Sequence, residues 1–115
     1  MKLSEELIEE VKQAAAKYMY YNRPPIEIRN QVDMGYRIEG QSVYLFEIRP
    51  GWDKPDEKIE TPIAKTTYVK AKKLWKIYWM RSNLKWYIYE PVPLVLSISD
   101  FFDTVNEDEY HCFFG

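Results

Sequence analysis

Apolar positions recur at helical spacing through the first fifth of the chain. Leu7, Ile8, Val11, Ala14, Ala15, Tyr18 and Met19 fall on one side of a helix, and charged residues occupy the other. Ser4 stands where an N-cap belongs. Glu5, Glu6, Glu9 and Glu10 follow it, and Lys12 and Lys17 lie toward the other end, an order that the helix dipole favours. Pro24 and Pro25 prevent continuation, so the pattern predicts a helix over residues 4–22.

The period then changes to two. Val32, Met34, Tyr36 and Ile38 alternate with Asp33, Gly35, Arg37 and Glu39. A turn signal at Glu39-Gly40-Gln41-Ser42 leads into Val43–Arg49, so residues 28–49 predict a hairpin. Residues 50–62 hold Pro50, Gly51, Pro55 and Pro62 among charged side chains and predict a long loop. Three further strands are predicted at 63–69, 74–81 and 85–90, joined by connectors short enough for a meander, which Pro91 and Pro93 end. Ser97, three residues before Asp100, starts a short helix with Ile98, Phe101, Phe102 and Val105 on its apolar stripe, ending near Asn106. The final segment, Tyr110 to Gly115, is apolar enough to pack on the core or add a short strand.

The expected fold is α+β in one domain spanning residues 1–115. An N-terminal helix packs on an antiparallel meander sheet of about five strands, followed by a short C-terminal helix and a packed tail. On the strand at 74–81, Trp75, Ile77 and Trp79 share a face. Assigning Trp86 and Ile88 to the same buried side leaves Lys76, Tyr78, Tyr87 and Tyr89 on the open one.

Composition sharpens the picture in two places. Aromatic residues make up 17% of the chain, with ten Tyr, five Phe and four Trp, more than one small core holds, so some must reach the surface. The net charge of −2 also conceals a segregation. The stretch between Thr61 and Glu90 carries Lys65, Lys70, Lys72, Lys73, Lys76, Arg81 and Lys85 with no Asp or Glu, leaving all 18 acidic residues to the rest of the chain. A single cysteine, Cys112, allows no internal disulfide. The N-terminus turns acidic where a signal peptide turns apolar, and no apolar run approaches the roughly 20 residues of a membrane span. These features predict a soluble cytoplasmic protein without membrane partners.

Basic residues interleaved with aromatic ones on a sheet are what a single-strand nucleic-acid platform needs, cations for phosphates and ring faces for bases. Lys76, Tyr78, Arg81, Lys85, Tyr87 and Tyr89 are the candidate ligand-binding residues on this reading. An outward face of Lys and Tyr is also what an ordinary half-solvated antiparallel sheet carries. A second candidate is a polar site where the second strand enters the long loop, formed by Glu47, Arg49, Trp52, Asp53 and Lys65. Arg49 would grip a carboxylate or phosphate there, or simply pair with Glu47. His111 and Cys112 are adjacent and point apart on an extended tail, and the chain offers no further soft ligands for zinc. The four glycines form no phosphate-binding loop. No catalytic residue, metal site or cofactor is assigned. The function reading leans away from an enzyme and toward a small binding or interaction domain. Its partner is single-stranded nucleic acid or another polyanion, or else a protein or a second copy of the chain.

The run Phe46-Glu47-Ile48-Arg49-Pro50-Gly51-Trp52 is followed by Pro62-Ile63-Ala64-Lys65 with Tyr68. Trp75, then Ile77-Tyr78-Trp79-Met80-Arg81, Trp86, Tyr89 and the closing Phe113-Phe114-Gly115 come after. Together they resemble a bacterial domain-of-unknown-function family, family 3024. The resemblance covers residues 30–115 and departs at Phe114, where Trp is expected. It implies single-domain bacterial cytosolic proteins and supplies no activity or substrate. Arg49, Trp52, Lys65, Tyr68, Trp79 and Arg81 are the residues it marks as shared core or shared site.

Overall fold

The computed structural model of the chain describes residues 2–114. Helix α1 spans Glu5–Asn22 and begins where expected, with the Ser4 hydroxyl accepting the Leu7 N–H at 3.2 Å. It turns Val11, Ala14, Ala15 and Tyr18 inward. Beyond its end, the Arg23 guanidinium donates two hydrogen bonds of 2.8 Å to the Asp33 carboxylate, and a 3-10 turn at Ile26–Ile28 carries the chain into the sheet.

The strands are β1 (Asp33–Glu39), β2 (Ser42–Pro50), β3 (Lys58–Val69), β4 (Leu74–Met80), β5 (Trp86–Ile88) and β6 (Leu94–Val95). They form one antiparallel sheet in the order β1-β2-β3-β4-β5, and β6 pairs with β4 on the same edge as β5. Helix α2 (Ile98–Glu107) follows, capped by the Ser97 hydroxyl on the Asp100 N–H. The α+β meander read from the sequence is therefore the fold.

Three expectations need correction. The loop at 50–62 is shorter, because β3 begins at Lys58. The loop proper is closed by the Gly51 N–H on the Glu57 carbonyl at 2.8 Å. Residues 58–62 are exposed and pair with β2 through backbone alone, so they leave no apolar period in the sequence. Pro62 fits there because β4 pairs β3 only from Ala64 onward, and Ile63 is an unpaired bulge residue between two register segments. Second, the segment from Glu90 to Leu96 is not all connector: its two-residue strand β6 lies beyond what periodicity detects. Third, Met80 pairs with Trp86 and Tyr78 with Ile88, so Trp86 and Ile88 share the face of Tyr78 and not the core face.

Both helices cover one face of the sheet. The core gathers Val11, Ala15 and Tyr18 from α1, Phe101, Phe102 and Val105 from α2, and Val43, Leu45, Trp75 and Ile77 from the strands, with Trp75 only 1% exposed. The tail packs as expected. Asp108 takes a left-handed conformation at φ 40° and ψ 50°, and its buried carboxylate accepts the N–H groups of Phe113 and Phe114 at 3.0 and 2.9 Å. This seats Phe113 against Tyr89, ring centroids 4.8 Å apart.

Candidate binding face and adjoining cleft

The face of the sheet away from the helices is built by register. Tyr44 on β2, Lys65 on β3 and Tyr78 on β4 are cross-strand partners in a row, and Trp86 on β5 joins them diagonally. The Lys65 ammonium lies 5.5, 5.1 and 5.9 Å from the ring centroids of Tyr44, Tyr78 and Trp86. The Tyr44 and Trp86 rings are themselves 6.1 Å apart. Ring quadrupoles stabilise this cation while part of its hydration is lost. Lys76 lies on the same face two positions from Tyr78. The neighbouring part of the face is neutralised: Arg37 sits 4.7 Å over the Phe46 ring and pairs with Glu60 and Glu39. Among the described residues, none of the seven basic residues of the acid-free segment forms an ion pair.

Of the residues singled out in the sequence, Lys76 and Tyr78 stand on this face, and Lys85 closes the β4–β5 turn opposite Arg81, its carbonyl accepting the Arg81 N–H. Tyr87 and Tyr89 do not join them. The alternation fixed by the Met80–Trp86 pair sends both to the helix side, where Tyr89 is 2% exposed and its N–H bonds the Ile77 carbonyl. Burial pushes the Tyr89 phenol above its ordinary pKa, with lesser contributions from Cys112 and Asp108. Desolvation likewise pushes Tyr18 up to about 12, aided by Asp108. Sequence reasoning missed Tyr44 and Trp86. Tyr44 was legible, since it alternates with the buried pair Val43 and Leu45.

Arg81 goes to the helix side as well. Its guanidinium carbon lies 5.2 Å from the Trp79 ring centroid and 4.8 Å from that of Tyr87. These three, with Ile88, Glu90 and Cys112, line a cleft of about 410 Å³ at the β5 edge. The Cys112 thiol is pushed up by burial and by Asp108, with Arg81 opposing, so it is held as a neutral thiol.

The second candidate site does not assemble. Glu47 and Arg49 pair with each other, and that hydrogen bond raises the Arg49 pKa further. Trp52 is 91% exposed and Asp53 is exposed. Lys65 lies opposite Tyr44, whereas Glu47 lies opposite Thr61, beyond the bulge. No group of three or more His, Cys, Asp or Glu among the described residues is placed to hold a metal ion.

The fold and face define a helix-on-sheet α+β domain with a basic, aromatic open surface. Residues 3–115 match the family described as Domain of unknown function (DUF3024), and the chain belongs to it. No curated protein and no solved structure matches it. No helix among the described residues is long and apolar enough to cross a membrane.

Proposed function

We propose that this protein is a small non-enzymatic domain that binds single-stranded nucleic acid on its open sheet face. The observation that carries the reading is Lys65, an ammonium set among three aromatic rings on the open face without a carboxylate partner. Tyr44, Tyr78 and Trp86 supply ring faces, each worth about 1–3 kcal/mol per stacked base. Lys65 and Lys76, with Lys85 and the Lys70-Ala71-Lys72-Lys73 turn at either end, supply charge for the backbone. Lys65 swings from the rings to a phosphate as a base takes its place. A bacterial cytoplasm is the setting this reading assumes. The alternative, a small-anion or enzyme site around Glu47, Arg49, Asp53 and Lys65, has no comparable support because those side chains are not gathered.

The test is fluorescence anisotropy of a labelled oligothymidylate. If about three phosphates are neutralised, affinity falls roughly 20-fold between 50 and 200 mM salt, following a slope of about −0.7 per phosphate. Lys65→Gln flattens the slope by about one phosphate's share, and Trp86→Ala weakens binding about tenfold or more without changing it. No binding at low salt, or binding indifferent to salt, refutes the proposal. Heparin binding that survives Trp86→Ala while oligothymidylate is ignored reduces it to a generic polyanion surface.

A further inference from the structure

The cleft on the helix side contains an arginine with an unused hydrogen-bonding edge. Arg81 lies against two rings, Trp79 and Tyr87, which are themselves cross-strand partners. Its backbone is pinned in the turn, with its N–H on the Lys85 carbonyl at 3.2 Å and its own carbonyl accepting the Leu84 N–H at 2.8 Å. Asn83 donates to the Tyr87 hydroxyl at 2.8 Å and so fixes the end of that ring. The guanidinium is therefore anchored through its backbone and rests over two rings. Among the described residues it has no carboxylate within ion-pairing distance. A planar fork held in this way matches the two oxygens of a carboxylate, and stacking limits the freedom lost when they bind.

The rest of the cleft narrows the ligand. Its volume of about 410 Å³ lies in the lower part of the range of small-molecule sites. Trp79, Tyr87, Ile88 and Pro91 offer apolar surface for a ligand body. Among the described residues Arg81 is the only cation that lines it, and Glu90 lines it too. The Glu90 carboxylate repels a phosphate dianion or a nucleotide about twice as strongly as it repels a monoanion, so the free fork of Arg81 is best matched by a single carboxylate. We propose that this cleft binds a small monocarboxylate with an aromatic or otherwise apolar body. The inference does not depend on nucleic-acid binding, which uses the opposite face.

Phenylacetate is a suitable probe, with phenylacetamide as its uncharged counterpart and inorganic phosphate as the multiply charged competitor. For a ligand this small the dissociation constant is on the order of 1 mM. The expected result in two-dimensional NMR is saturable shifts of the Trp79 indole and of the amides of Arg81 and Tyr87. Alkylation of Cys112 by iodoacetamide slows in parallel, because its thiol lines the same cleft. Arg81→Gln weakens phenylacetate about tenfold or more, Arg81→Lys falls between, and Lys65→Gln leaves it unchanged. The proposal is overturned if phenylacetate shifts nothing, if phenylacetamide binds equally well, or if phosphate displaces phenylacetate at equal concentration. It is equally overturned if a folded Arg81→Gln protein binds as the original does. Should Arg81→Gln fail to fold, the phenylacetamide and phosphate comparisons on the unaltered protein decide.

Discussion

Removing the Asp108 carboxylate should release the C-terminal tail from the core. The group is 8% exposed and accepts two backbone N–H groups, from Phe113 and Phe114. A hydrogen bond to a charged acceptor contributes about 1.5–3 kcal/mol. The residue also sits in the left-handed region, at φ 40°, where Asp and Asn are tolerated and Ala is penalised by about 1–2 kcal/mol. These sums have a ceiling, because a freed tail rehydrates its amides and forfeits only what it contributed, chiefly the burial of Phe113 against Tyr89. Asp108→Ala is therefore expected to lose about 2–4 kcal/mol. Asp108→Asn keeps one acceptor and the backbone conformation and should lose about 1–2 kcal/mol. Urea unfolding followed by tryptophan fluorescence measures both, and with a slope of about 1–2 kcal/mol per molar the alanine variant shifts the midpoint by roughly 2 M. Phe113→Ala combined with Asp108→Ala should be markedly less than additive, since both act through one docked segment. An alanine variant within about 0.5 kcal/mol of the original protein, or one more stable than the asparagine variant, would refute the account.

Asp33 is held down to about 2, chiefly by its hydrogen bond with Arg23. Its folded pKa is thus below the ordinary 3.8, so its contribution is present above that value and is lost as pH falls through about 2. Because Arg23 is 41% exposed, the pair is worth only about 1 kcal/mol. Asp33→Asn should lose that near neutral pH and match the original protein below about pH 2 in urea unfolding, and a difference that persists in acid contradicts the assignment. A Cβ on Gly35 would meet the Phe46 ring at 2.7 Å. Gly35→Ala should therefore lose about 1–3 kcal/mol in urea unfolding and regain much of it when Phe46→Leu is added, and no regain removes the steric explanation. Thr66 is fully buried and donates to the Lys76 carbonyl at 2.6 Å. Thr66→Val should lower stability by about 1 kcal/mol, a fall of roughly 4 °C in melting temperature, and an unchanged melting point refutes that. Leu84 is 77% exposed with φ 63°. Leu84→Gly should be neutral to stabilising by up to about 1 kcal/mol by calorimetry, and a clear loss would mean the side chain matters to the turn.

What the sequence made legible follows from burial. Helix α1 is predicted over 4–22 and spans Glu5–Asn22, because an apolar stripe, the Ser4 cap and the Pro24-Pro25 stop all point to the same element. Helix α2 was found from Ser97 and four apolar residues for the same reason. The first half of β3 was illegible because it buries nothing, and its pairing to β2 is a matter of backbone hydrogen bonds. The candidate face is half legible. Charge and aromatic content point to the acid-free segment, and Lys76 and Tyr78 lie on the open face that their alternation with Trp75 and Ile77 predicts. Apolarity alone assigns Trp86 to the core, but strand register decides the face, the turn decides register, and the Met80–Trp86 pair puts it on the open side. Nothing local in the sequence reveals that Lys65 meets Tyr44. The register of the Glu47–Thr61 pair, continued unbroken, would set Lys65 opposite Val43, and the bulge at Ile63 brings it to Tyr44 instead.

The β4–β5 turn explains why the aromatic excess produces two clusters of rings around a cation. Five residues separate Met80 from its partner Trp86, and their number fixes which of Trp86 and Tyr87 faces out. With one residue fewer, Trp86 would enter the helix side and Tyr87 would take its place on the open one. As built, consecutive residues serve opposite faces: Trp86 completes the rings around Lys65, and Tyr87 completes the pair against Arg81. Each cation is thereby partly dehydrated by ring faces that hold it but do not neutralise it. A carboxylate in either position would do the opposite, since an ion pair quenches the charge it stabilises, as Glu60 does to Arg37 on the same sheet. The lack of Asp and Glu between Thr61 and Glu90 is thus more than a local charge imbalance. It is the condition under which both cations, one on each face of the sheet, stay out of ion pairs among the described residues.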